Sequence, residues 1–256
     1  MAWAARPSPT DLLQIPPRIS AMSTEPNLYA SQYLHWPDTF SNLSVKQEVA
    51  ERAAAKAQPN EVIGIGSGSS AYLVLLALGR RVREDGLAVH VVTSSYETDT
   101  AAATLGIPAL ALGSVRPAWG VDGADEVDPE RRLLKGRGGA LYKEKILWHT
   151  CERMYLAVDG SKYVERLGER FSIPVELDRS AVKLVADFIN ELDGLGSTRY
   201  QLRNAGGKDG PVITEAGNLI LDLWCETIPH GLSGQLKALP GVIETGLFEG
   251  YEFEIL

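Results

Sequence analysis

One short segment of this chain is rich in side chains that can carry charge, among them Asp122, Asp125, Lys135 and Glu144. Asp and Gly favour turns and caps, so Asp-Gly-Ala-Asp at 122–125 is typical of a loop that presents carboxylates. Carboxylates can exchange protons with a substrate, and a nearby lysine can stabilise negative charge that develops on it. The segment therefore suits proton transfer beside a fixed cation.

A glycine-rich loop, Lys-Gly-Arg-Gly-Gly at 135–139, lies between the aspartates and Glu144. Glycines let backbone N–H groups come close to an anion. The residues that follow, 140–148, are predicted to begin a helix with Glu144 and Lys145 in its early turns. An Asp-Gly pair or a glycine run alone is typical of an ordinary turn or loop, but their combination at these offsets indicates a site.

A second glycine-rich stretch follows the first predicted strand. Residues 61–70 read Glu-Val-Ile-Gly-Ile-Gly-Ser-Gly-Ser-Ser, and an apolar helix pattern begins at Ala71. A junction of strand, Gly/Ser loop and helix offers N–H groups, hydroxyls and the positive end of a helix dipole to a phosphate. The glycine spacing differs from the dinucleotide fingerprint, and no lysine follows as in a Walker A loop. The stretch predicts an anion site without indicating a nucleotide.

Strands and helices alternate through the first two thirds of the sequence. Apolar strand patterns occur at 87–93, 108–112 and 155–159, with helical patterns between them. This alternation is typical of an α/β protein with a largely parallel sheet. Ligands bind such sheets at the carboxyl ends of the strands, where Lys162 is expected to lie.

The pattern changes after about residue 167. The order of predicted elements becomes β-α-β-β-α-β, with strands at 173–177 and 198–203, a hairpin within 212–224 and a last strand at 242–248. This order predicts a second, smaller α+β domain of the split βαβ, ferredoxin-like kind. The expected division is 1–40 as an N-terminal extension, 41–166 with 248–256 as the main domain, and 167–247 as the small domain.

Bulk properties exclude several classes of protein. The chain has 256 residues and a formal net charge of −8, which argues against general nucleic-acid binding. No apolar run reaches the ~18 residues of a membrane span. Two cysteines give neither a disulfide framework nor metal-ligand spacing, which favours a reducing compartment and predicts a cytoplasmic protein.

The first forty residues are rich in Pro, Ser and Ala and lack a clear period, so we predict a disordered extension. Arg6 and Arg18 stand against one acid, Asp11, within the first twenty residues. Few acids and several arginines are typical of some organelle-targeting segments, so that interpretation stays open beside an untargeted tail.

With these motifs assembled, the sequence resembles the type A family of ribose 5-phosphate isomerases over about residues 45–248. Each motif is short, but their shared order and spacing are specific. The motifs that carry the resemblance are Gly64–Ser70, Thr93–Ser94, Asp122–Asp128, Leu134–Ala140, Lys143–Lys145, Val158–Lys162, Pro174–Glu176, Gly217–Asp222 and Leu239–Phe248.

The resemblance implies a Rossmann-like, mostly parallel sheet domain joined to the smaller α+β domain. It also implies a sugar phosphate substrate, a homodimer or homotetramer, and neither a metal nor an organic cofactor. The implied catalytic residues are Glu144, Asp122, Lys135 and Asp125. The implied substrate-binding residues are Ser67, Gly68, Ser69, Ser70, Asp122, Gly123, Ala124, Asp125, Lys135, Gly136, Arg137, Gly138 and Lys162.

The reaction implied by the resemblance interconverts ribose 5-phosphate and ribulose 5-phosphate, in the non-oxidative pentose phosphate pathway. A proton moves between adjacent carbons through an enediolate, and Glu144 is the expected base. Lys135 is expected to stabilise the oxyanion, Asp122 to move protons on the sugar oxygens, and Asp125 to orient hydroxyls. The Gly64–Ser70 loop, with Lys162 or another basic side chain, is expected to hold the phosphate.

Three positions depart from the family pattern. Glu215-Ala216 stands where the family usually has Asp-Asn, in a predicted hairpin that is expected to lie remote from the site. Arg137 stands where a small residue is usual, and we expect its side chain to point outward. The chain stops shortly after Phe248, where relatives continue for another strand, and residues 251–256 are expected to replace part of it.

Two other functions stay open at the level of sequence. A sugar-phosphate sensor shares this kind of fold by analogy, but no helix-turn-helix pattern precedes the domain, and a sensor has little use for Glu144 together with Lys135. An acyl-CoA transferase or sugar-phosphate deaminase relative needs a nucleophile or a His-centred arrangement, and the four histidines are scattered without a motif.

Overall fold

A six-stranded parallel sheet organises the first part of the fold in the computed structural model, which describes residues 41–207 and 209–256. The sheet order is β13-β7-β4-β1-β2-β3, and every pairing in it is parallel. The alternating pattern therefore predicted the architecture correctly. Its strands are β1 Val62–Ile65, β2 His90–Thr93, β3 Ala109–Leu110, β4 Trp119–Asp122, β7 Met154–Leu156 and β13 Glu254–Ile255.

Four helices connect or cover these strands, and their apolar faces account for much of the core. Tyr72, Leu75 and Leu78 of the second helix are buried against strand residues such as Ile63 and Ile65. Full burial of one large apolar side chain stabilises a fold by about 1.5–3 kcal/mol. The helices are α1 Leu43–Ala55, α2 Gly68–Glu84, α3 Tyr96–Thr104 and α4 Leu141–Thr150.

A four-stranded antiparallel sheet follows, in the order β11-β8-β10-β9. With its two helices it gives the β-α-β-β-α-β order that the sequence predicted. A separate apolar cluster fills the space between sheet and helices. The elements are β8 Ile173–Leu177, α5 Val182–Glu191, β9 Thr198–Leu202, β10 Leu219–Cys225, α6 Leu232–Lys237 and β11 Val242–Thr245.

The predicted hairpin within 212–224 is wrong. Only β10 forms there, and the tight turn at its start closes through Thr214 N, which donates to Asn218 O at 2.9 Å. Because β8 and β9 already occupy both edges of β10, no edge is left for a hairpin partner before the turn.

A third, three-stranded antiparallel sheet links the two others. It comprises β5 Glu126–Val127, β6 Leu133–Leu134 and β12 Leu247–Phe248, in the order β12-β6-β5. The single strand predicted at 242–248 is therefore two strands, which break at Gly246. A Cβ on Gly246 would lie 2.2 Å from the carbonyl oxygen of Lys135, so only glycine lets the two backbones approach this closely.

The end of the chain forms β13, which adds a parallel strand beside β7 and confirms the expectation for residues 251–256. Predictions about residues 1–40 lie outside the described residues. Within 41–207 and 209–256, no helix combines the length and apolarity needed to cross a membrane.

Candidate active site

The site lies where the main sheet changes direction. From β1 the chain builds the sheet outward through β2 and β3, and it then returns to the other side of β1 with β4. Ligands of open α/β sheets bind at the carboxyl ends of strands at such a point. Gly66 and Asp122 meet here, and a Cβ on Gly66 would lie 2.1 Å from Asp122 Oδ1. Glycine at this position makes room for the carboxylate.

A cleft opens at this point, and every predicted substrate-binding residue except Asp122 lines it. Glu144 also lines the cleft, as does Lys46 of α1, which the sequence analysis did not single out. The lining residues are Lys46, Ser67, Gly68, Ser69, Ser70, Gly123, Ala124, Asp125, Lys135, Gly136, Arg137, Gly138, Glu144 and Lys162.

A buried lysine between two carboxylates forms the floor of the cleft. Lys135 Nζ lies 3.0 Å from Asp122 Oδ2 and 3.4 Å from Glu144 Oε2. It also donates to the carbonyl oxygen of Gly123. All three charged side chains are buried. The sequence motifs on two separate loops and a helix therefore converge on one charged centre.

The proton affinities at this centre differ because of burial and charge. Burial, together with the negative charge of Asp122, raises the pKa of Glu144 to about 7, although Lys135 opposes the shift. For Lys135, burial lowers the pKa, but the carboxylates of Asp122 and Glu144 raise it more, so the net shift is upward. Lys135 is therefore a permanent cation, whereas Glu144 can gain or lose a proton near neutral pH.

One oxygen of the Glu144 carboxylate accepts a hydrogen bond, and the other is available to a substrate. Glu144 lies in the first turn of α4, and its Oε1 accepts a hydrogen bond from Ser67 Oγ at 2.5 Å. Its Oε2 accepts none from the part of the chain that the structure describes, apart from the 3.4 Å contact with Lys135. A buried carboxylate oxygen without a hydrogen bond is a suitable base.

Asp122, which the sequence predicts to exchange protons with sugar oxygens, is fully enclosed below the cleft. Its Oδ1 accepts from Gly123 N at 2.8 Å, and its Oδ2 accepts from Trp148 Nε1 at 2.9 Å. These bonds and the ion pair with Lys135 engage both of its oxygens. The reason is the position of Asp122 at the end of the central strand β4, from which its side chain turns under the site.

Trp148 is a residue that sequence reasoning missed, although a signal for it exists. It follows Glu144 by four positions in α4, and residues four apart share one face of a helix. The helix face that carries Glu144 therefore also carries the donor that holds Asp122.

Two further lysines, Lys46 and Lys162, line the cleft. Lys46 Nζ donates to Ser69 Oγ at 3.3 Å. Its pKa is lowered by burial and by the nearby charge of Lys162, with Asp159 opposing. The helix α2 begins here, and its N-cap Ser67 makes no side-chain capping bond, so helix N–H groups are available. Two lysines that repel each other beside a helix N-terminus suit a phosphate.

Arg137 points away from the floor of the cleft, as expected. Its side chain is exposed and its guanidinium lies 4.9 Å from the centre of the Phe171 ring. Its backbone N–H donates to Asp125 Oδ2 at 3.1 Å, so the loop also fixes the Asp125 carboxylate at the cleft.

Fold and site together are typical of an α/β enzyme, and the cleft suits acid–base chemistry on a small anionic molecule. Comparison with known proteins specifies the class further. Residues 90–256 match the family model for ribose 5-phosphate isomerase A (phosphoriboisomerase A). The chain belongs to the ribose 5-phosphate isomerase A family, and it is accordingly an isomerase.

Relatives and solved structures agree with this assignment. The ribose-5-phosphate isomerase A of a Synechococcus strain is 41% identical over 80% of this chain and 89% of the relative. That of Methanothermobacter thermautotrophicus is 40% identical, over 83% and 92%. The structure of the Methanocaldococcus jannaschii enzyme superposes with a TM-score of 0.77 at 35% identity, covering 82% of this chain and 93% of that one. A D-ribose-5-phosphate isomerase in complex with phospho-erythronic acid has a TM-score of 0.77 at 32% identity, covering 83% and 93%.

Proposed function

We propose that this protein interconverts ribose 5-phosphate and ribulose 5-phosphate, with Glu144 as the base. The observation that carries the proposal is the buried Oε2 of Glu144, which lies beside the cation of Lys135 and accepts no hydrogen bond from residues 41–207 or 209–256. A carboxylate whose pKa burial raises to about 7 can both take and return a proton at neutral pH. General-base catalysis of this kind contributes ~10²–10⁴-fold to the rate.

In the forward direction, Glu144 removes the proton from C2 of the open-chain aldose. The electron pair of that C–H bond forms the double bond of an enediolate, and the carbonyl oxygen on C1 gains the negative charge. Lys135 stabilises that charge in a low-dielectric site. The hydroxyl proton on O2 passes to O1, and Glu144 returns its proton to C1. The product is the ketose, and Glu144 is regenerated as a carboxylate.

Asp122 and Asp125 have separate proposed roles. Asp122 is a positioning residue, since it is enclosed and holds Lys135 at 3.0 Å. Asp125 lines the cleft, and the bond from Arg137 N fixes its carboxylate, so it can orient a sugar hydroxyl.

The phosphate is held by Lys46, Lys162 and the N–H groups at the start of α2. Fixing this remote group positions the reacting carbons over Glu144, and such positioning lowers the barrier by removing orientational freedom. Phospho-erythronic acid should bind in the same way, because its planar carboxylate resembles an enediolate and its phosphate is the same group.

We further propose that 41–166 with 248–256 form the catalytic domain and 167–247 the smaller domain. The apolar cluster beneath the four-stranded sheet takes most of its residues from 167–247, which supports this division. By resemblance to the family, the protein is proposed to act as a homodimer or homotetramer in the cytoplasm. Sedimentation velocity across a range of protein concentrations tests the assembly.

Turnover tests the function directly. Purified protein with ribose 5-phosphate and a metal chelator should form ribulose 5-phosphate, detected by NMR. In deuterium oxide the substrate should gain deuterium at the reacting carbon, because an enediolate returns a proton that has exchanged with solvent. A sugar-phosphate sensor, the alternative on this fold, would bind the ligand without either change, and that result would overturn the proposal.

A further inference from the structure

Arg203 connects the four-stranded sheet to the glycine-rich loop of the active site. It directly follows β9, and its Nη1 donates to the carbonyl oxygens of Gly136 at 2.9 Å and Arg137 at 2.8 Å. Both carbonyls belong to the loop that begins with Lys135. Arg203 itself does not line the cleft; it lines a separate cavity behind the loop.

The guanidinium of Arg203 is itself fixed in orientation. Its Nε donates to Asp222 Oδ2 at 2.9 Å and its Nη2 donates to Asp222 Oδ1 at 2.6 Å. Ser172 Oγ donates to the same Oδ1 at 2.8 Å, and Asp222 is buried. Two parallel bonds between a guanidinium and a carboxylate define a plane, which a lysine cannot reproduce. The remaining nitrogen, Nη1, is thereby aimed at the loop.

The hydrogen bonds from Arg203 to these two carbonyls determine the direction of two backbone N–H groups. A trans peptide is planar, and its C=O and N–H point in opposite directions; the described residues contain no cis peptide. The carbonyl of Gly136 shares a peptide with the N–H of Arg137, which donates to Asp125 in the cleft. The carbonyl of Arg137 shares a peptide with the N–H of Gly138, and Gly138 also lines the cleft.

The N–H of Gly138 donates to no atom of residues 41–207 or 209–256. It is directed away from Arg203, on the side where the neighbouring N–H meets Asp125. A hydrogen bond from a cation to the carbonyl end of a peptide also polarises the peptide, which strengthens the N–H as a donor. A free donor of this kind, three positions after Lys135, suits an oxygen of the bound sugar.

We propose that Arg203 is a positioning residue for the isomerase reaction. It acts through the Gly136–Gly138 backbone, without touching the substrate: it fixes the Asp125 carboxylate and presents the N–H of Gly138 to a sugar oxygen. The inference rests on the proposed function and extends it, since it makes the smaller α+β sheet a support for the catalytic loop.

Arg203→Lys tests the proposal, because it keeps the positive charge and loses the planar set of donors. Small displacements of positioned groups cost up to ~10²-fold in rate, so we expect kcat/KM to fall by about tenfold to a hundredfold. Arg199→Lys is the matched control. Arg199 lies on β9, four residues before Arg203, is exposed, and its guanidinium lies 4.0 Å from the centre of the Trp224 ring. It should leave kcat/KM unchanged.

Measurements on the loop itself distinguish a positioning role of Arg203 from a purely stabilising one. In ¹⁵N NMR spectra, Arg203→Lys should shift the amide signals of Arg137 and Gly138 and speed their hydrogen exchange, and phospho-erythronic acid should bind more weakly. The double variant Arg203→Met with Asp222→Asn removes both charges of the pair together, so that neither is left unpaired. It should show the same changes while keeping a cooperative thermal unfolding transition.

Three experimental outcomes decide whether Arg203 is a positioning residue. A folded Arg203→Lys protein with wild-type kcat/KM and wild-type loop amides overturns the inference and leaves the isomerase function standing. Failure of both variants to fold makes Arg203 a stability residue and also overturns it. If the wild-type protein does not convert ribose 5-phosphate, the proposed function fails, and the loop amides and ligand binding still decide whether Arg203 orders the loop.

Discussion

The hydroxyl of Ser67 adjusts the proton affinity of the proposed base, so its removal tests the chemistry closely. Burial raises the pKa of Glu144 to about 7, and the hydrogen bond from Ser67 opposes that rise by stabilising the carboxylate. The bond is 2.5 Å long. A hydrogen bond to a charged group contributes about 1.5–3 kcal/mol, and one pKa unit corresponds to about 1.36 kcal/mol. Since water partly replaces the hydroxyl, Ser67→Ala should shift the titration of Glu144 upward by about one pH unit.

The assay is the pH dependence of kcat/KM, which reports groups of the free enzyme. The base must be deprotonated, so wild-type kcat/KM should fall as the pH drops through about 7, where burial places the pKa of Glu144. In Ser67→Ala this fall should occur at higher pH. Ser69→Ala is the control, because Ser69 contacts Lys46 and not Glu144. This variant should raise KM without changing the pH at which kcat/KM falls. An unmoved or lowered midpoint in Ser67→Ala would refute the reasoning.

Three further substitutions test the cations. Lys135→Met removes the charge between Asp122 and Glu144; it should lower kcat by ~10²–10³-fold and reduce the free energy of unfolding by about 3–5 kcal/mol, measured by steady-state kinetics and urea titration. Wild-type kcat in that variant would contradict the oxyanion role. Lys46→Met should raise KM for ribose 5-phosphate by about 10–100-fold, because a charged hydrogen bond to phosphate is lost. Lys162→Met should raise KM to a similar extent. An unchanged KM in either variant would show that the substituted lysine does not bind the phosphate.

Local sequence patterns predicted much of the fold and the centre of the site. Alternation of strands and helices is a short-range signal, and it indicated both the parallel sheet and the β-α-β-β-α-β order. Lys135 and Glu144 could be predicted because both sit in motifs whose loop and helix chemistry is local. The glycines beside them also carry a local signal, since a turn or a close backbone approach excludes other residues.

The remaining features depend on contacts between distant parts of the chain. Lys46 is an ordinary polar helix residue in the sequence, and only folding brings it to Ser69. Arg203 is an ordinary polar residue at the end of a predicted strand, and only folding brings Asp222 and the loop carbonyls to its guanidinium. The burial of Asp122 likewise results from its position at the end of a central strand, which the Asp-Gly motif does not reveal. The false hairpin arose because a turn signal does not reveal which strand edges are already occupied.

Glu144→Gln provides the most direct test of the account. Glutamine keeps the size of the side chain and an oxygen that can accept from Ser67 Oγ, but it cannot take a proton. We predict that kcat falls by ~10²–10⁴-fold, while phospho-erythronic acid binds within a few-fold of wild type and the thermal unfolding transition stays cooperative. A folded Glu144→Gln protein that isomerises ribose 5-phosphate at close to the wild-type kcat would contradict the assignment of Glu144 as the base.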